Sequence, residues 1–499
     1  MLKRLAWIAP AVIATVAVAG AQDTRAVLET LTKDMGATGV TSVTFSGTAA
    51  DVNFLQTTDI NGPWPLRPVT SYVRTIDLSQ LAMRSSGMTN NPGLFGGAPV
   101  DSPFNQNIGA SSATWTQQLD YWITPWGFLK GAAANNPTMK SAPSPSIALE
   151  QRGWKVGGLG KYTVISWSPA QPKAPSGASY TVKGYIGADK MIERVETWTD
   201  HGILGDMHVE VTYSNYKNFG GLEVPTKIVQ KRGGFTFFET TIADAKANPS
   251  DLTALLAAPA RGGGPGGAPG APPAGGAPAA AQIGSTKLAE GLYLIEAPYN
   301  ALAVEFKDYI VVVEAGQSVA TGQNILNEVK KVYPTKPIRY VVNTHPHEDH
   351  SLGLAPFVAA GAEIVTHKNN KEFFETAYRA PRTLLSDSLA QNKRKPKVMG
   401  IGERHVFKDD NHSLELHHII DKDPEKVHSD GIVVAFLPKE KILFQADFTL
   451  PNAGAEANPF TKSLAEHVDR LKLDFNSYLS VHNTNTPQTK ADLLKAIGK

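Results

Sequence analysis

The chain has 499 residues, of which 42% are hydrophobic and 19% are charged, a composition typical of globular proteins. A single hydrophobic core stops growing at roughly 250 to 300 residues, so the length predicts two domains. The 48 lysines and arginines almost balance the 46 aspartates and glutamates. Because this leaves no excess of positive charge for phosphate backbones, nucleic acid is not expected as a partner.

The N-terminus has the pattern of an export leader. Lys3 and Arg4 precede an apolar run at 5–18, and small residues follow up to Ala21. A basic start, an apolar run and an A-x-A site predict cleavage after Ala21. A membrane anchor needs about 20 apolar residues, whereas this run is shorter and contains Pro10. We therefore expect a periplasmic or secreted protein without a stable membrane anchor. The absence of cysteine suits an oxidising compartment.

The segment at 22–257 contains several short runs in which apolar and polar residues alternate. The alternation predicts a mostly antiparallel β domain of the α+β class, with one solvated face. The glycine-, asparagine-, proline- and serine-rich region at 88–145 is interpreted as long loops. His201 and His208 are expected to be strand or turn residues rather than ligands. The alternating runs are YTVISW at 162–167, YTVKGYI at 180–186, IERVETW at 192–198, MHVEVTY at 207–213 and the residues at 235–241.

Part of this segment resembles a known all-β architecture. The stretch GDMHVEVTYSNYKNFGGLEVPTKIV at 205–229 is similar to the late strands of the half-barrel in lipoprotein-carrier proteins. The resemblance implies an apolar concavity that binds a lipid or a peptide tail.

A linker and a second domain follow. From 258 to 281 the chain contains only glycine, proline, alanine and one arginine, so that no side chains are available for a core and a linker is predicted. In the segment at 282–499 strands and helices alternate, which indicates an α/β domain. A helix is predicted at 319–332 and a buried strand at 338–342.

The stretch VVNTHPHEDHSLGL at 341–354 contains three histidines and two carboxylates within six consecutive residues. It follows the predicted buried strand, so His345, His347, Asp349 and His350 emerge together at a strand end. Imidazole and carboxylate groups are ligands that zinc accepts. Four donors from one short loop cannot all reach one tetrahedral ion, whereas two ions about 3.5 to 4 Å apart fit this spacing. The stretch therefore predicts a dinuclear metal site.

The hexapeptide at 345–350 also matches the HxHxDH signature of the metallo-β-lactamase fold superfamily of hydrolases. Three later elements follow in the family's order, namely His428 in KVHSD, Asp447 in FQAD and His482 in YLSVHN. The resemblance implies an αββα sandwich at 282–499 that binds two Zn²⁺ ions, with iron as the other possibility. It implies His345, His347 and His428 as ligands of the first ion, Asp349, His350 and His482 as ligands of the second, and Asp447 as the bridge.

The function implied by this resemblance is an exported metal-dependent hydrolase. A hydroxide bridging two zinc ions would attack a small ester, lactone, thioester or amide, and Asp349 would orient it as the catalytic residue. The alternatives are an iron-dependent redox member of the same fold, a β-lactamase, and a lipid- or peptide-binding protein with a vestigial hydrolase domain. The substrate is expected to be a small molecule, and the sequence leaves its identity and the oligomeric state open.

Several neighbouring residues are expected near the site without being ligands. Glu348 is predicted to be solvated or to contact a ligand, because the signature leaves its position free. Glu314 ends a strand at a position that commonly contacts the ligands. The last loop, around His482, departs from the family's common glycine-flanked turn. Apolar residues at 369–391 are expected to pack on the sheet rather than face the pocket, and these are Phe373, Phe374, Tyr378, Leu384 and Leu385.

Overall fold

The computed structural model describes residues 23–91, 100–143, 161–257, 283–451, 457–482 and 488–499. The predicted leader at 1–21 and the predicted linker at 258–281 lie outside these residues. Within the described ranges, no helix is both long enough and apolar enough to span a membrane.

The N-terminal half is built on a single antiparallel sheet that contains eleven of the described strands. Their spatial order is β4-β3-β2-β1-β11-β10-β9-β8-β7-β6-β5 once they are numbered along the chain. The five predicted alternating runs all lie in this sheet, which confirms the antiparallel prediction. The strands are β1 Ser42–Val52, β2 Leu66–Asp77, β3 Ala82–Asn91, β4 Val100–Ile108, β5 Thr138–Pro143, β6 Lys161–Trp167, β7 Val182–Ile186, β8 Ile192–His201, β9 Gly205–Phe219, β10 Leu222–Arg232 and β11 Phe235–Ala247.

Helices cover this sheet and complete its hydrophobic core. They are α1 at 23–34, α2 at Trp115–Trp122, α3 at Pro125–Ala134 and α4 at Leu252–Leu256. Helix α2 begins with a capping box, in which the Thr114 side chain accepts from Gln117 N and the Gln117 side chain accepts from Thr114 N. Such a box pairs amide groups that a helix start leaves free. The buried face of α2 carries Trp115, Leu119 and Tyr121.

The prediction of long loops at 88–145 is wrong for the described part of that region. It contains the end of β3, all of β4, α2, α3 and β5. Strand β4, VDSPFNQNI, pairs with β3 from Val100 to Ile108 and leaves most of its polar side chains partly or fully exposed. Its stability comes from backbone pairing, so a composition that resembles a loop does not prevent strand formation.

The C-terminal half contains two further sheets. The first is a mixed sheet in the order of the chain, with β15 to β18 parallel. It consists of β12 Gly284–Ala289, β13 Leu292–Glu296, β14 Ala301–Glu305, β15 Ile310–Val313, β16 Ile338–Val342, β17 Glu363–His367 and β18 Val398–Ile401. The second consists of β19 Arg404–Lys408, β20 Ser413–His418, β21 Val433–Leu437, β22 Ile442–Gln445 and β23 Ser477–Ser480.

Most helices of this half lie on the outer faces of the two sheets, whereas α6 lies at a sheet edge. The predicted helix at 319–332 is confirmed, with its apolar side chains Ile325, Leu326 and Val329 buried. The α-helices are α5 Val319–Val332, α6 Glu348–Ser351, α7 Leu354–Ala360, α8 Lys371–Ala377, α9 Ser388–Asn392, α10 Pro459–Leu471 and α11 Lys490–Ala496, and short 3₁₀ turns lie at Lys368–Asn370 and Pro424–Lys426.

Three hydrophobic layers hold the C-terminal half together. One joins α5, α7 and α8 to the first sheet, the second lies between the two sheets, and the third joins the second sheet to α10 and α11. Helix, sheet, sheet and helix therefore follow one another. This is the αββα sandwich that the sequence predicted.

Side chains from each half also enter the core of the other. Leu55, Ile60 and Trp64 of the N-terminal half belong to the layer around α5 and α7. Leu384 enters the core of the N-terminal sheet. Phe373, Phe374 and Tyr378 pack under the first C-terminal sheet as predicted, whereas Leu384 packs in the N-terminal core instead. The reason is that the chain at 380–384 binds the start of β9, where Asp206 N donates to Pro381 O at 2.6 Å.

Candidate metal centre

The signature residues leave the first C-terminal sheet at the end of β16. His345 and His347 lie in the loop after that strand, and Asp349 and His350 lie in α6, which His347 precedes as the N-cap residue. The chain turns into a helix within this loop, so that side chains from both parts face one region. Strand β16 is buried over most of its length and fixes the starting point of the loop.

The second sheet delivers the other three predicted ligands from three separate positions. His428 precedes β21, Asp447 follows β22 and His482 follows β23. Val433 N donates to Thr344 O at 2.9 Å, which joins β21 to the loop that carries His345. Asp447 has a positive φ of 65°, a backbone conformation that non-glycine residues rarely adopt and that is found in functional sites.

These seven residues, from here on the seven-residue cluster, are brought together in the folded chain. Their ligand atoms form three groups, each with all atoms within 4.8 Å of one another: His345, His347 and His428; His345, His350 and Asp447; and Asp349, His350 and His482. The first and third groups coincide with the ligand sets that the family resemblance implies.

Asp447 lies at the centre of the cluster. Its Oδ2 atom is 3.1 Å from His345 Nε2, 3.1 Å from His350 Nε2 and 3.5 Å from His428 Nε2. Its Oδ1 atom is 2.7 Å from His482 Nε2. One carboxylate therefore reaches histidines of both ligand sets, which is the position that a bridging ligand requires.

The polar atoms at this centre fit a bound metal. His350 Nε2, His428 Nε2 and Asp447 Oδ2 are buried and have no hydrogen-bond partner among the described residues. A buried polar atom without a partner is costly, and a cation between these atoms would satisfy all of them. Nitrogen and carboxylate oxygen donors suit zinc and also iron.

Comparison with known families agrees with this geometry. The family model of the metallo-beta-lactamase superfamily matches residues 295–483, a range that contains every residue of the seven-residue cluster. This match assigns residues 295–483 to the superfamily.

One curated relative and several solved structures are similar to this metallo-beta-lactamase domain. The relative is the 2,4-dinitroanisole O-demethylase subunit alpha of Nocardioides sp. (strain JS1661), 24% identical over 187 residues, which are 37% of this chain and 52% of that protein. The chain thus spans about half the length of this relative. A metallo-beta-lactamase from Pontibacter korlensis is 19% identical, with a TM-score of 0.33 over 44% of this chain and 98% of that one. A stereoselective inverting sec-alkylsulfatase from Pseudomonas sp. is 18% identical, with a TM-score of 0.30 over 43% of this chain and 41% of that one.

Two histidines of the metallo-beta-lactamase domain are held in the neutral form. Burial, together with the neighbouring His350, lowers the pKa of His345 to about 4. Burial and the neighbouring His345 and His428 lower the pKa of His347 well below its ordinary value. A histidine binds a metal through an unprotonated nitrogen, so these two side chains are in the state that binding requires.

The carboxylates of the cluster are held in the ionised form. Burial opposes ionisation of Asp447, but His350 and His428 keep the pKa of Asp447 well below its usual range. Burial likewise opposes ionisation of Asp349, while His350 and a hydrogen bond from Gln56 keep its pKa low. Both carboxylates therefore offer charged oxygens to a cation.

Side chains outside the cluster orient its members. Glu314 accepts from Thr344 N at 3.1 Å and lies 3.2 Å from His350 Nδ1, as predicted for its position. Tyr299 donates to Asp349 Oδ2 at 2.8 Å. Partners of this kind fix the orientation of metal ligands. The sequence did not indicate Tyr299, because nothing in the stretch EAPYNALAVE at 296–305 marks it as a site residue.

The N-terminal half also reaches the centre, which the sequence did not indicate. Gln56 Nε2 donates to Asp349 Oδ1 at 2.8 Å, and Thr57 O lies 3.1 Å from His347 Nε2. His201 Nε2 of the N-terminal half lies 3.0 Å from Glu348 Oε1, and neither residue is in a metal-binding group among the described residues.

The cluster is accessible from one side. The side chains of His345, His350 and Asp447 are exposed by at most 6%, whereas those of Asp349 and His482 are exposed by 33% and 25%. A substrate would therefore approach the group that contains Asp349 and His482. The other side is closed by the carbonyl of Thr57 over His347.

Three other histidines have partners outside the cluster. His367 stacks on His418 with ring centroids 3.8 Å apart, and neither belongs to a metal-binding group among the described residues. His208 lies 3.3 Å from Glu196 on the neighbouring strand, as expected for a strand residue.

Proposed function

We propose that the protein is a metal-dependent hydrolase that acts on a small ester, lactone, thioester or amide with two zinc ions. The single observation that carries this proposal is the convergence of three ligand groups on Asp447, with buried nitrogen and oxygen atoms that lack other partners. In a purely structural histidine cluster these buried polar atoms would be hydrogen-bonded, because a stable core pairs its polar groups.

The two ions would be held by residues from both sheets. When bound, they would activate water and polarise the bond to be cleaved. The proposed ligands are His345, His347 and His428 for one ion and Asp349, His350 and His482 for the other, with Asp447 between them.

Asp349 is the residue that we propose to orient the attacking water. It is ionised, it faces the accessible side, and both of its oxygens are held, one by Gln56 and the other by Tyr299. Burial and the negative charge of Asp349 raise the pKa of Tyr299, so Tyr299 stays a neutral phenol that donates. A carboxylate fixed in this way can orient a water molecule at the exposed side of the cluster.

The identity of the metal is tested directly by elemental analysis of protein purified without added metal. We expect zinc in about a 2:1 ratio to protein, by analogy with two-ion hydrolytic sites. Iron in the same ratio would instead favour the redox alternative, since imidazole and carboxylate bind both metals.

The hydrolytic activity is tested with a panel of ester, lactone, thioester, amide, β-lactam and phosphodiester substrates, with and without a chelator. His345→Ala removes a member of two ligand groups and is expected to lose both metal and activity. His405→Ala is the matched control, because His405 packs on Phe407 and is in none of the groups. Unchanged hydrolysis by His345→Ala, or by metal-free protein, would contradict the proposal.

A second candidate is cleavage of an activated aryl ether. It is favoured by the relative whose name describes O-demethylation of 2,4-dinitroanisole, although the match covers 52% of that protein. Adding 2,4-dinitroanisole to the panel tests it through release of the coloured phenolate. Release that depends on metal and on His345 would select this candidate, and no release would exclude this ether as a substrate.

We further propose export to the periplasm or the medium, with a small molecule as the partner of the site. Support comes from the leader pattern at 1–21 and from the lack of cysteine. N-terminal sequencing of protein recovered from the periplasm is expected to begin at Gln22. Full-length protein confined to the cytoplasm would contradict export.

A further inference from the structure

The loop between β1 and β2 places one short segment of the N-terminal half against the metal centre. We propose that this segment, residues 55–58, is an integral part of the centre, and that Gln56 and the carbonyl of Thr57 position Asp349 and His347 for metal binding. The inference rests on the proposed metal-dependent function. It assigns a role to a half of the chain in which the sequence shows no recognisable chemistry.

The Gln56 contact is the first observation. Its amide donates to Asp349 Oδ1 at 2.8 Å, while Tyr299 holds Oδ2 of the same carboxylate at 2.8 Å. With one donor on each oxygen, the plane of the carboxylate is fixed. The remaining lone pairs of Asp349 can then face His350 and His482, with which it forms one of the ligand groups.

The Thr57 contact acts on a second ligand. His347 Nδ1 is the nitrogen that faces His345, at 3.1 Å from its Nε2 atom, while His347 Nε2 lies 3.1 Å from Thr57 O. A carbonyl oxygen can only accept, so His347 carries its proton on Nε2. Nδ1 is then left unprotonated on the side of the cluster. Contacts of this kind set which ring nitrogen binds a metal.

The same segment also holds the backbone that carries the ligands. Glu348 N donates to Leu55 O at 3.2 Å, and Asp430 N donates to Thr58 O at 3.0 Å. Glu348 lies between His347 and Asp349, and Asp430 lies two residues after His428. One segment of four residues therefore connects the signature loop to the loop that carries the third histidine.

Buried and aromatic side chains hold the segment in place. Leu55 is fully buried and has a positive φ of 55°, a strained conformation that persists only where the surroundings impose it. Phe54 packs edge-on against Trp64 and Phe237, with ring centroids 5.3 and 5.7 Å away. Trp64 stacks on Phe235 at 4.2 Å. Aromatic packing of this kind holds a contact in place at low entropic cost.

The expected consequence is a change in metal affinity. Partners that orient metal ligands typically contribute about 10- to 100-fold in affinity or activity. Gln56→Met keeps the length and bulk of the side chain and removes its donor. We expect the ion at Asp349, His350 and His482 to bind about 10- to 100-fold more weakly in this variant, while the ion at His345, His347 and His428 is retained.

The test is metal competition against a coloured chelator, carried out on the full chain with Zn²⁺ and again with Co²⁺, whose absorption spectrum reports ligand geometry. Asn61→Ala is the matched control, because Asn61 is exposed, lies outside the segment and donates across the two halves to Asn369 O at 2.7 Å. The control is expected to bind both ions as the wild type does. Thermal unfolding in excess chelator is expected to be the same for all three proteins.

The outcomes separate this inference from the proposed function. If the wild type binds two ions and Gln56→Met binds both with unchanged affinity and spectrum, the positioning role is wrong and the hydrolase proposal stands. If Gln56→Met weakens both ions equally and unfolds earlier in chelator, the effect is structural and the role is again wrong. If the wild type binds no metal, both fail.

Discussion

Each half of the chain buries a carboxylate among polar side chains, but the two carboxylates differ in how their oxygens are paired. Asp120 in the N-terminal half accepts from Gln230 and Arg232, each at 3.0 Å, and also from Gln106. Asp447 in the C-terminal half has a buried oxygen that accepts no hydrogen bond, although three imidazoles lie within 3.5 Å. A carboxylate with paired oxygens stabilises the fold, whereas converging atoms without partners indicate a ligand site.

The largest expected effect is a loss of stability when Asp120, the paired carboxylate of the N-terminal half, is replaced. Asp120→Ala leaves the guanidinium of Arg232, whose side chain is 12% exposed, without its counter-ion, and we expect a loss of up to about 3 to 5 kcal/mol of unfolding free energy, the range for breaking a buried pair. Chemical denaturation would measure the loss, and elemental analysis is expected to find unchanged metal content. A variant of normal stability that has lost metal would reverse the roles of the two clusters.

The next prediction tests Asp447. A metal that binds only the folded chain stabilises it by about 2.7 kcal/mol at a free concentration of 100 Kd. Asp447→Asn replaces the central anion with a neutral amide of the same shape, so this stabilisation is expected to be largely lost. Thermal unfolding with and without Zn²⁺ measures it. An undiminished metal-dependent shift would show that Asp447 is a structural carboxylate like Asp120.

The comparison also explains how much of the site could be predicted from the sequence. Imidazoles and carboxylates in HPHEDH reveal their chemistry by type and spacing, and each of the later residues His428, Asp447 and His482 lies at a strand end, as its motif predicted. Gln56 and Thr57 carry no such signal. A glutamine amide and a backbone carbonyl occur in every loop, and only the packing of the two halves makes these groups neighbours of Asp349 and His347.

The fold was predictable to a similar degree and for similar reasons. Strand β15, IVVV, is buried throughout and β9 alternates regularly, so hydrophobic pattern determines both. Strand β4 has no such pattern because its polar side chains face solvent. Helix α2 did carry a local signal, the capping box of Thr114 and Gln117, which composition alone conceals. Leu384 could not be placed, because its partner core lies in the other half.

A smaller effect, on kcat, is expected for Tyr299 in the metal centre. Tyr299→Phe removes one hydrogen bond to Asp349 and preserves the ring, whose centroid lies 4.6 Å from that of His482. We expect kcat to fall about 10-fold, the lower end of the range for partners of metal-site residues, with KM and metal content nearly unchanged. Steady-state kinetics measures both constants. A rise in KM at constant kcat would instead place the phenol in substrate binding.

The smallest effect concerns a pair of histidines without a carboxylate between them. His367 stacks on His418, and burial, together with the nearby His418 and Lys368, lowers the pKa of His367 to about 4 from an ordinary 6.5. Between pH 6.5 and 4 the unfolded chain therefore binds a proton that the folded chain does not, so this contribution to stability is present above pH 6.5 and is lost as the pH falls. His367→Gln cannot titrate. Its unfolding in chelator is expected to depend on pH less steeply than that of the wild type, by up to about one proton. Identical pH profiles would mean that the pKa of His367 is the same in the folded and unfolded chains.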